Sequence, residues 1–140
     1  MTDDKITRVA DAMTQGVITI EATATVREAA QLMRDKRTSS IVVERRDDDD
    51  EFGMVVVTDI AGEVLGKDLS PDRVNVYEIM SKPVLTLPAE MNVVYAVRLL
   101  VRFKLTRALV IDHDRNPLGI VTLRDMVLRT LEDGEAAEQR

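Results

Sequence analysis

Cysteine and tryptophan are absent from this 140-residue chain, and its aromatic set is two phenylalanines and two tyrosines. Without cysteine there is no disulfide frame, no thiolate metal site and no cysteine nucleophile; the composition suits a reducing compartment, and a cytoplasmic location is the expectation. With so few aromatics, aliphatic side chains and seven methionines must fill the core. The same scarcity leaves no row of stacking platforms for single-stranded nucleic acid. Basic charge is also short: 19 Lys and Arg stand against 25 Asp and Glu, for a net charge of −6. That balance excludes a general binder of polyanions while leaving room for a local basic pocket, so no nucleic-acid partner is expected. No run approaches the about 18 apolar residues that span a bilayer, and the acidic start "MTDDKITRVADAM" lacks the apolar centre of a signal peptide. No membrane partner is expected.

Catalytic and metal-binding constellations are missing too. The only histidine, His113, sits in the polar turn "DHDRNP", away from any nucleophile, and no "GxxxxGK" phosphate loop occurs. The run "DDDDE" from Asp47 to Glu51 offers hard-cation ligands. Four adjacent acids on one turn cannot all converge on an ion, so a solvated hairpin loop is expected, with no metal. A non-enzymatic protein is the reading.

What the chain does have is an internal repeat, the feature to settle before any element is assigned. Sliding the sequence by 67 residues superposes Val9 on Val76, Met13 on Met80, Thr19 on Thr86, Ala29 on Ala96 and Val43 on Val110. One extra residue in the first copy's acidic loop then sets "GMVVVTD" (Gly53–Asp59) on "GIVTLRD" (Gly119–Asp125) at an offset of 66. The organisation read from this is a first repeat over 1–65, a polar linker over 66–75, a second repeat over 76–133 and a frayed tail over 134–140.

Each repeat reads as β-α-β-β-α, giving an α/β fold. "GVITI" and "PVLTL" are short leading strands. "TVREAAQLMRDK" is an amphipathic helix capped by Thr25 and Glu28, and "NVVYAVRLLVRFK", capped by Asn92, is apolar around most of its circumference, which predicts burial on two sides. "SIVVE", "GMVVV", "RALVID" and "LGIVT" are continuous apolar strands suited to a sheet covered on both faces. "TDIAGEVLG" and "LRDMVLRTLED" are the closing helices, the latter with Leu123, Met126, Val127, Thr130 and Leu131 on one face. One repeat alone buries little apolar area, so the two are expected to pack sheet to sheet about a pseudo-two-fold axis, leaving two related clefts.

At each junction of strand and closing helix, unpaired N–H groups and the helix dipole favour anions and polar ligands. Thr122 and Asp125 there read in two ways: as a helix cap that needs no ligand, or as a carboxylate that accepts sugar hydroxyls beside a hydroxyl that serves sugar or phosphate. Arg107 likewise reads either as a solvated strand-edge charge or as a fork for phosphate.

These residues carry a resemblance. The duplicated order of "VADAMTQGVITI" and "VYEIMSKPVLTL", "AAQLM" and "AVRLL", "LTRALVID" and "GIVTLRD" resembles a tandem pair of cystathionine-β-synthase (CBS) domains, a Bateman module, from about Val9 to Leu131. The resemblance implies two CBS repeats packed through their sheets, regulatory rather than catalytic. Its ligand would be an adenine nucleotide (AMP, ADP or ATP) or S-adenosylmethionine in a cleft between repeats, with no cofactor required. It implies that Asp125 holds the ribose hydroxyls, that Thr122 meets ribose or phosphate, that Arg107 meets phosphate, and that the backbone of Val84, Leu85 and Thr86 faces the base. In the first copy Asp59, Thr19 and Ser40 stand in the columns of Asp125, Thr86 and Arg107, and Thr58 beside Asp59 reads either as a substitute hydroxyl or simply as the helix cap. That copy departs from the pattern: Val56 replaces the hydroxyl of Thr122, and Ser39 and Ser40 fill the column of Arg107. Its cleft is therefore expected to bind weakly, to bind a less charged ligand, or to stay empty. The functional expectation is a stand-alone ligand sensor that signals through assembly, most simply a homodimer built on helices, or through an effector protein. The rival is a structural dimer whose clefts have lost their ligands.

Overall fold

The computed structural model describes residues 6–138, and it resolves two compact units. One runs from Ile18 to Val84; the other joins the residues up to Val17 with those from Leu85 onward. These units are not the sequence repeats. Each takes the short leading segment of the other copy and builds its own sheet and core.

In the Ile18–Val84 unit, β2 (Thr19–Ile20) runs parallel to β3 (Ser40–Val43), which pairs antiparallel with β4 (Gly53–Val56). Helix α2 (Val26–Lys36) begins where the Thr25 hydroxyl accepts from Glu28 N–H, as its sequence predicts. It buries Val26, Ala29 and Met33 against Ile41, Val43 and Val55. In the second unit β5 (Thr86–Pro88) runs parallel to β6 (Arg107–Ile111), which pairs antiparallel with β7 (Pro117–Thr122). Helix α4 (Val93–Phe103) starts at Asn92, whose side chain accepts from Val94 N–H, and buries Val93, Ala96 and Leu100. The repeat is faithful down to the helix ends. Arg37 and Lys104, 67 positions apart, both close their helix in the left-handed conformation (φ 54° and 57°), with N–H groups returned to the last turn.

The exchange of leading segments explains the glycines of the two heptads. In the second unit, α1 (Val9–Ala12) and β1 (Thr14–Gln15) strap the edge of the sheet, whose order is β1-β7-β6-β5. Thr14 lies opposite Ile120 and Gln15 opposite Gly119. A Cβ on Gly119 would stand 2.2 Å from the Thr14 carbonyl oxygen, so the strap can lie there only against glycine. The other unit repeats this arrangement more loosely. Ser81, the counterpart of Thr14, exchanges two 2.9 Å backbone bonds with Met54 beside Gly53. Thr7, nearly buried, donates to Asp133, and Arg129 bonds both Asp133 (3.2 Å) and the Asp11 carbonyl (2.6 Å), fastening the first strap to the last helix.

Several sequence expectations are corrected. "GVITI" is extended only at Thr19–Ile20, because Gly16 turns the chain at φ 84° and Thr14–Gln15 serve the other unit's sheet. "PVLTL" becomes a strand only at Thr86–Pro88. The first closing helix is α3 (Val57–Ile60), continued by a π-helical turn over Ala61–Leu65. The second, α5 (Leu123–Glu138), runs on to Glu138, into the stretch over 134–140 read as a frayed tail, the last two residues of which lie outside the described residues. On α5 the buried residue is Met126, whereas Val127 and Leu131 are exposed, so the apolar face drawn from the sequence is split between core and solvent. The 66–75 segment packs on the start of α2, where Arg27 N–H donates to the Pro71 carbonyl and the Arg27 guanidinium pairs with Asp72 through both oxygens.

The acidic loop is also less solvated than its composition suggests. The Asp50 side chain is only 9% exposed; it accepts from Arg46 N–H at 2.9 Å and pairs with Lys82 Nζ at 2.7 Å, next to Ser81. The Lys82 hydrogen bond, then the Arg46 backbone N–H, hold its carboxyl well below the usual carboxylate range. A lowered folded pKa gives stability that is present above the unfolded value of about 3.9 and is lost as pH falls through the folded value. Lys82→Met is therefore expected to lower the melting temperature at neutral pH. In a pH series the gap to the parent should narrow once pH drops below about 4; a gap independent of pH would refute the coupling.

Candidate functional site

The decisive geometry lies where β7 hands over to α5. Arg107 on β6 sits directly opposite Thr122 on β7, and Leu123 N–H donates to the Thr106 carbonyl at 2.8 Å. The Thr122 hydroxyl accepts from Asp125 N–H at 3.0 Å, so the capping contact exists. Around this corner is a hollow of about 510 Å³, within the range of small-molecule sites. Its walls are Thr106, Arg107, Thr122, Leu123, Arg124, Val127 and Leu128. Two guanidinium-bearing residues, two threonines and the N-terminal end of a 16-residue helix meet an apolar wall. That combination suits an anion attached to an apolar body, since the helix end and the arginines favour negative charge while Leu123, Val127 and Leu128 shed water from a flat ring.

Of the residues predicted from sequence, Thr122 and Arg107 form part of this wall. Asp125 adjoins it: its side chain is 38% exposed, with Oδ1 3.9 Å from Arg124 Nη1. Leu85 and Thr86 belong to the same unit, Thr86 opening β5 and Leu85 just before it; the Leu85 carbonyl accepts from Leu109 N–H and Thr86 lies opposite Leu109, one strand from Arg107 on β6 and two from Thr122 on β7. Val84 belongs to the other unit, where its N–H donates to the Phe52 carbonyl. Thr106, Leu123, Arg124, Val127 and Leu128 were not found from sequence. Arg124, Val127, Leu128 and Leu131 follow the spacing i, i+3, i+4, i+7, and that outward stripe is the signal that would have exposed them.

The first copy's corner is built on the same plan with different chemistry. Val57 N–H donates to the Ser39 carbonyl at 2.9 Å, matching Leu123 and Thr106. Here, however, the Asp59 carboxylate itself caps the turn, accepting from Val56 N–H at 3.0 Å. Thr58 is exposed, Ser40 is nearly buried opposite Val56, and Thr19 on β2 donates to Glu44. A hollow in this unit, about 350 Å³, is lined by Arg27, Ala30, Gln31, Arg34, Ile60, Leu65 and Pro71, none of them a predicted site residue. Among the described residues no cluster of three or more His, Asp or Glu could hold a metal ion, and no helix is long and apolar enough to cross a membrane. His113 is exposed, 3.7 Å from Glu90.

The sequence profile of the CBS domain matches residues 9–66 and 76–132, both copies of the repeat. The chain belongs to the CBS-domain family. This CBS pair superposes on the hexameric CBS-CP12 protein from bloom-forming cyanobacteria with a TM-score of 0.83 and 36% identity, over 88% of this chain and 67% of that one. The CBS domain of a bacterial CNNM/CorC family Mg2+ transporter, solved in complex with ATP, is 28% identical with a TM-score of 0.70, over 86% of this chain and 84% of that one. An uncharacterised protein of Methanopyrus kandleri is 32% identical over 111 residues, which are 79% of this chain and 56% of that protein. The CBS pair thus spans little more than half the length of that curated relative.

Proposed function

We propose that this CBS pair is a regulatory module that binds an adenosine nucleotide and passes the signal on through self-assembly or an effector protein, in a cytoplasmic setting. The observation that carries the reading is the hollow at the start of α5, where Arg107 and Arg124 converge with Thr122 on a helix N-terminus. Phosphate would lie against these groups, the adenosine ring against the apolar wall, and Asp125 would take the ribose hydroxyls. The ATP complex of the transporter CBS domain supports the ligand class, and the hexamer of the cyanobacterial relative supports assembly as an output. In the first copy, the carboxylate of Asp59 is already committed to Val56 N–H, and Val56 stands at the position of Thr122. We assign that corner a weaker site or none.

Thermal melting in the presence of AMP, ADP, ATP and S-adenosylmethionine tests the proposal. ATP at millimolar concentration should raise the melting temperature, by an amount equivalent to about 2.7 kcal/mol when it exceeds its dissociation constant a hundredfold. Asp125→Ala and Arg107→Ala should each remove most of the gain. Absence of any shift with all four compounds would overturn the nucleotide reading in favour of a ligand-free scaffold.

A further inference from the structure

The smaller hollow of the first copy is built differently from the one at the start of α5. It lies wholly within the Ile18–Val84 unit, and its volume of about 350 Å³ is at the small end of the range for ligand sites. Arg27, Ala30, Gln31 and Arg34 form one wall, an i, i+3, i+4, i+7 row of α2 separate from the buried Val26, Ala29 and Met33. Ile60, Leu65 and Pro71 form the other wall. Backbone bonds hold this second wall in place. The closing helix winds into the π turn Ala61–Leu65, where Gly66 N–H returns to the Ala61 carbonyl at 2.6 Å, whereas the matching α5 stays α-helical. Leu69 N–H then donates to the Val64 carbonyl at 2.9 Å, and Arg27 N–H to the Pro71 carbonyl at 3.0 Å. Val64 is thereby buried while Leu65, the next residue, stands exposed beside the hollow. Single π turns of this kind occur frequently at functional sites.

The polar groups of the α2 wall define what the hollow can take. Asp72 pins the Arg27 guanidinium through Nε–H and one Nη–H, two of its five donors, and three remain. Arg34 lies 3.7 Å from Asp35 with both side chains mostly in solvent, a loose pair that an entering carboxylate replaces at little cost. Asp72 also offsets the charge of Arg27, so the row favours a singly charged group over a doubly charged one. The facing wall is apolar. From this arrangement we infer that the hollow is a second ligand site, for a small carboxylic acid with an apolar body. The carboxylate is held by Arg34 and Gln31 beside the oriented Arg27, and a short chain or single ring rests on Ala30, Ile60, Leu65 and Pro71. This site stands apart from the nucleotide reading, since none of its walls belongs to the hollow at α5.

The test is a chemical-shift titration of the isotope-labelled full chain with phenylpropanoate, with hexanoate and with the uncharged phenylpropanamide. Both acids should move the backbone N–H signals of Ala30, Gln31, Arg34 and Leu65 to saturation. Phenylpropanamide should bind about tenfold more weakly, the loss expected when the charge is removed from a hydrogen-bonded group. Arg34→Gln should weaken both acids by a similar factor and leave phenylpropanamide unaffected. Ala30→Trp fills the hollow from an exposed helix position and should abolish binding of all three, with circular dichroism verifying that each variant is folded. If the acids move none of these signals, if phenylpropanoate and phenylpropanamide bind equally, or if the shifts gather around Arg124 and Leu128 instead, the site is overturned.

Discussion

Gly119→Ala should be among the most damaging single substitutions in this protein. The added methyl group would sit 2.2 Å from the Thr14 carbonyl oxygen, where the neighbour is backbone and cannot rotate away. Relief requires the β1 strap to lift from β7, and the strap is held at both ends: Gly16 N–H donates to the Leu118 carbonyl, and Val9 N–H to the Met91 carbonyl. Overpacking of this kind costs about 3 kcal/mol, at the upper end of its usual range, which for a chain of this size lowers the melting temperature by roughly 10 °C. The matching glycine of the first copy gives an internal control. A Cβ on Gly53 meets first the Met80 sulfur at 2.9 Å, the end of a flexible side chain, and the Ser81 carbonyl only at 3.2 Å. Gly53→Ala should therefore cost less than half as much in the same denaturation experiment. Equal losses at the two positions would contradict the difference in strap geometry.

Leu100→Ala should destabilise the protein by about 3 to 4 kcal/mol, the middle of the range for truncating a buried leucine. Leu100 is fully buried on α4 among Val9, Leu87, Ala96, Val110 and Val121, so the cavity left behind has neighbours on every side. Leu128→Ala, on a side chain 43% exposed, should cost under about 1 kcal/mol in dilute protein, since little apolar area returns to water. Chemical denaturation of the two variants checks the contrast. A loss at Leu128 comparable to that at Leu100 would place Leu128 in a buried interface even under dilute conditions.

The two leucines also illustrate what periodicity can and cannot convey. The pattern of α4 announced a helix with too much apolar surface for one buried face, and the structure separates it into Val93, Ala96 and Leu100 inside and Val94, Tyr95 and Val101 outside. On α5 the same reasoning placed Val127 and Leu131 with Met126, because a stripe drawn at helical spacing does not say which flank meets the sheet. Thr122 was legible because a hydroxyl before a helix has a fixed geometric use, and the bond to Asp125 N–H confirms it. Arg124 holds a variable position inside the motif, so its one signal was the outward helical stripe it shares with Val127, Leu128 and Leu131. Asp50 was read as one of several solvated acids, and only its approach to Lys82, 32 positions later, distinguishes it.

The amino-acid sequence by itself determined the duplication, the class and order of the elements, the helix caps and the family, because all of these follow from local spacing and side-chain chemistry. The tertiary structure decided which copy each leading segment joins, why Gly119 must be glycine, and which walls surround the hollow at α5. The hollow depends on the pairing of β6 with β7, and the strap on a backbone approach between residues about a hundred positions apart in the chain, Thr14 and Gly119. Closing loops of that length costs an entropy that no local pattern records. It is offset only when whole strands pair and whole cores pack, and those sums are made in three dimensions.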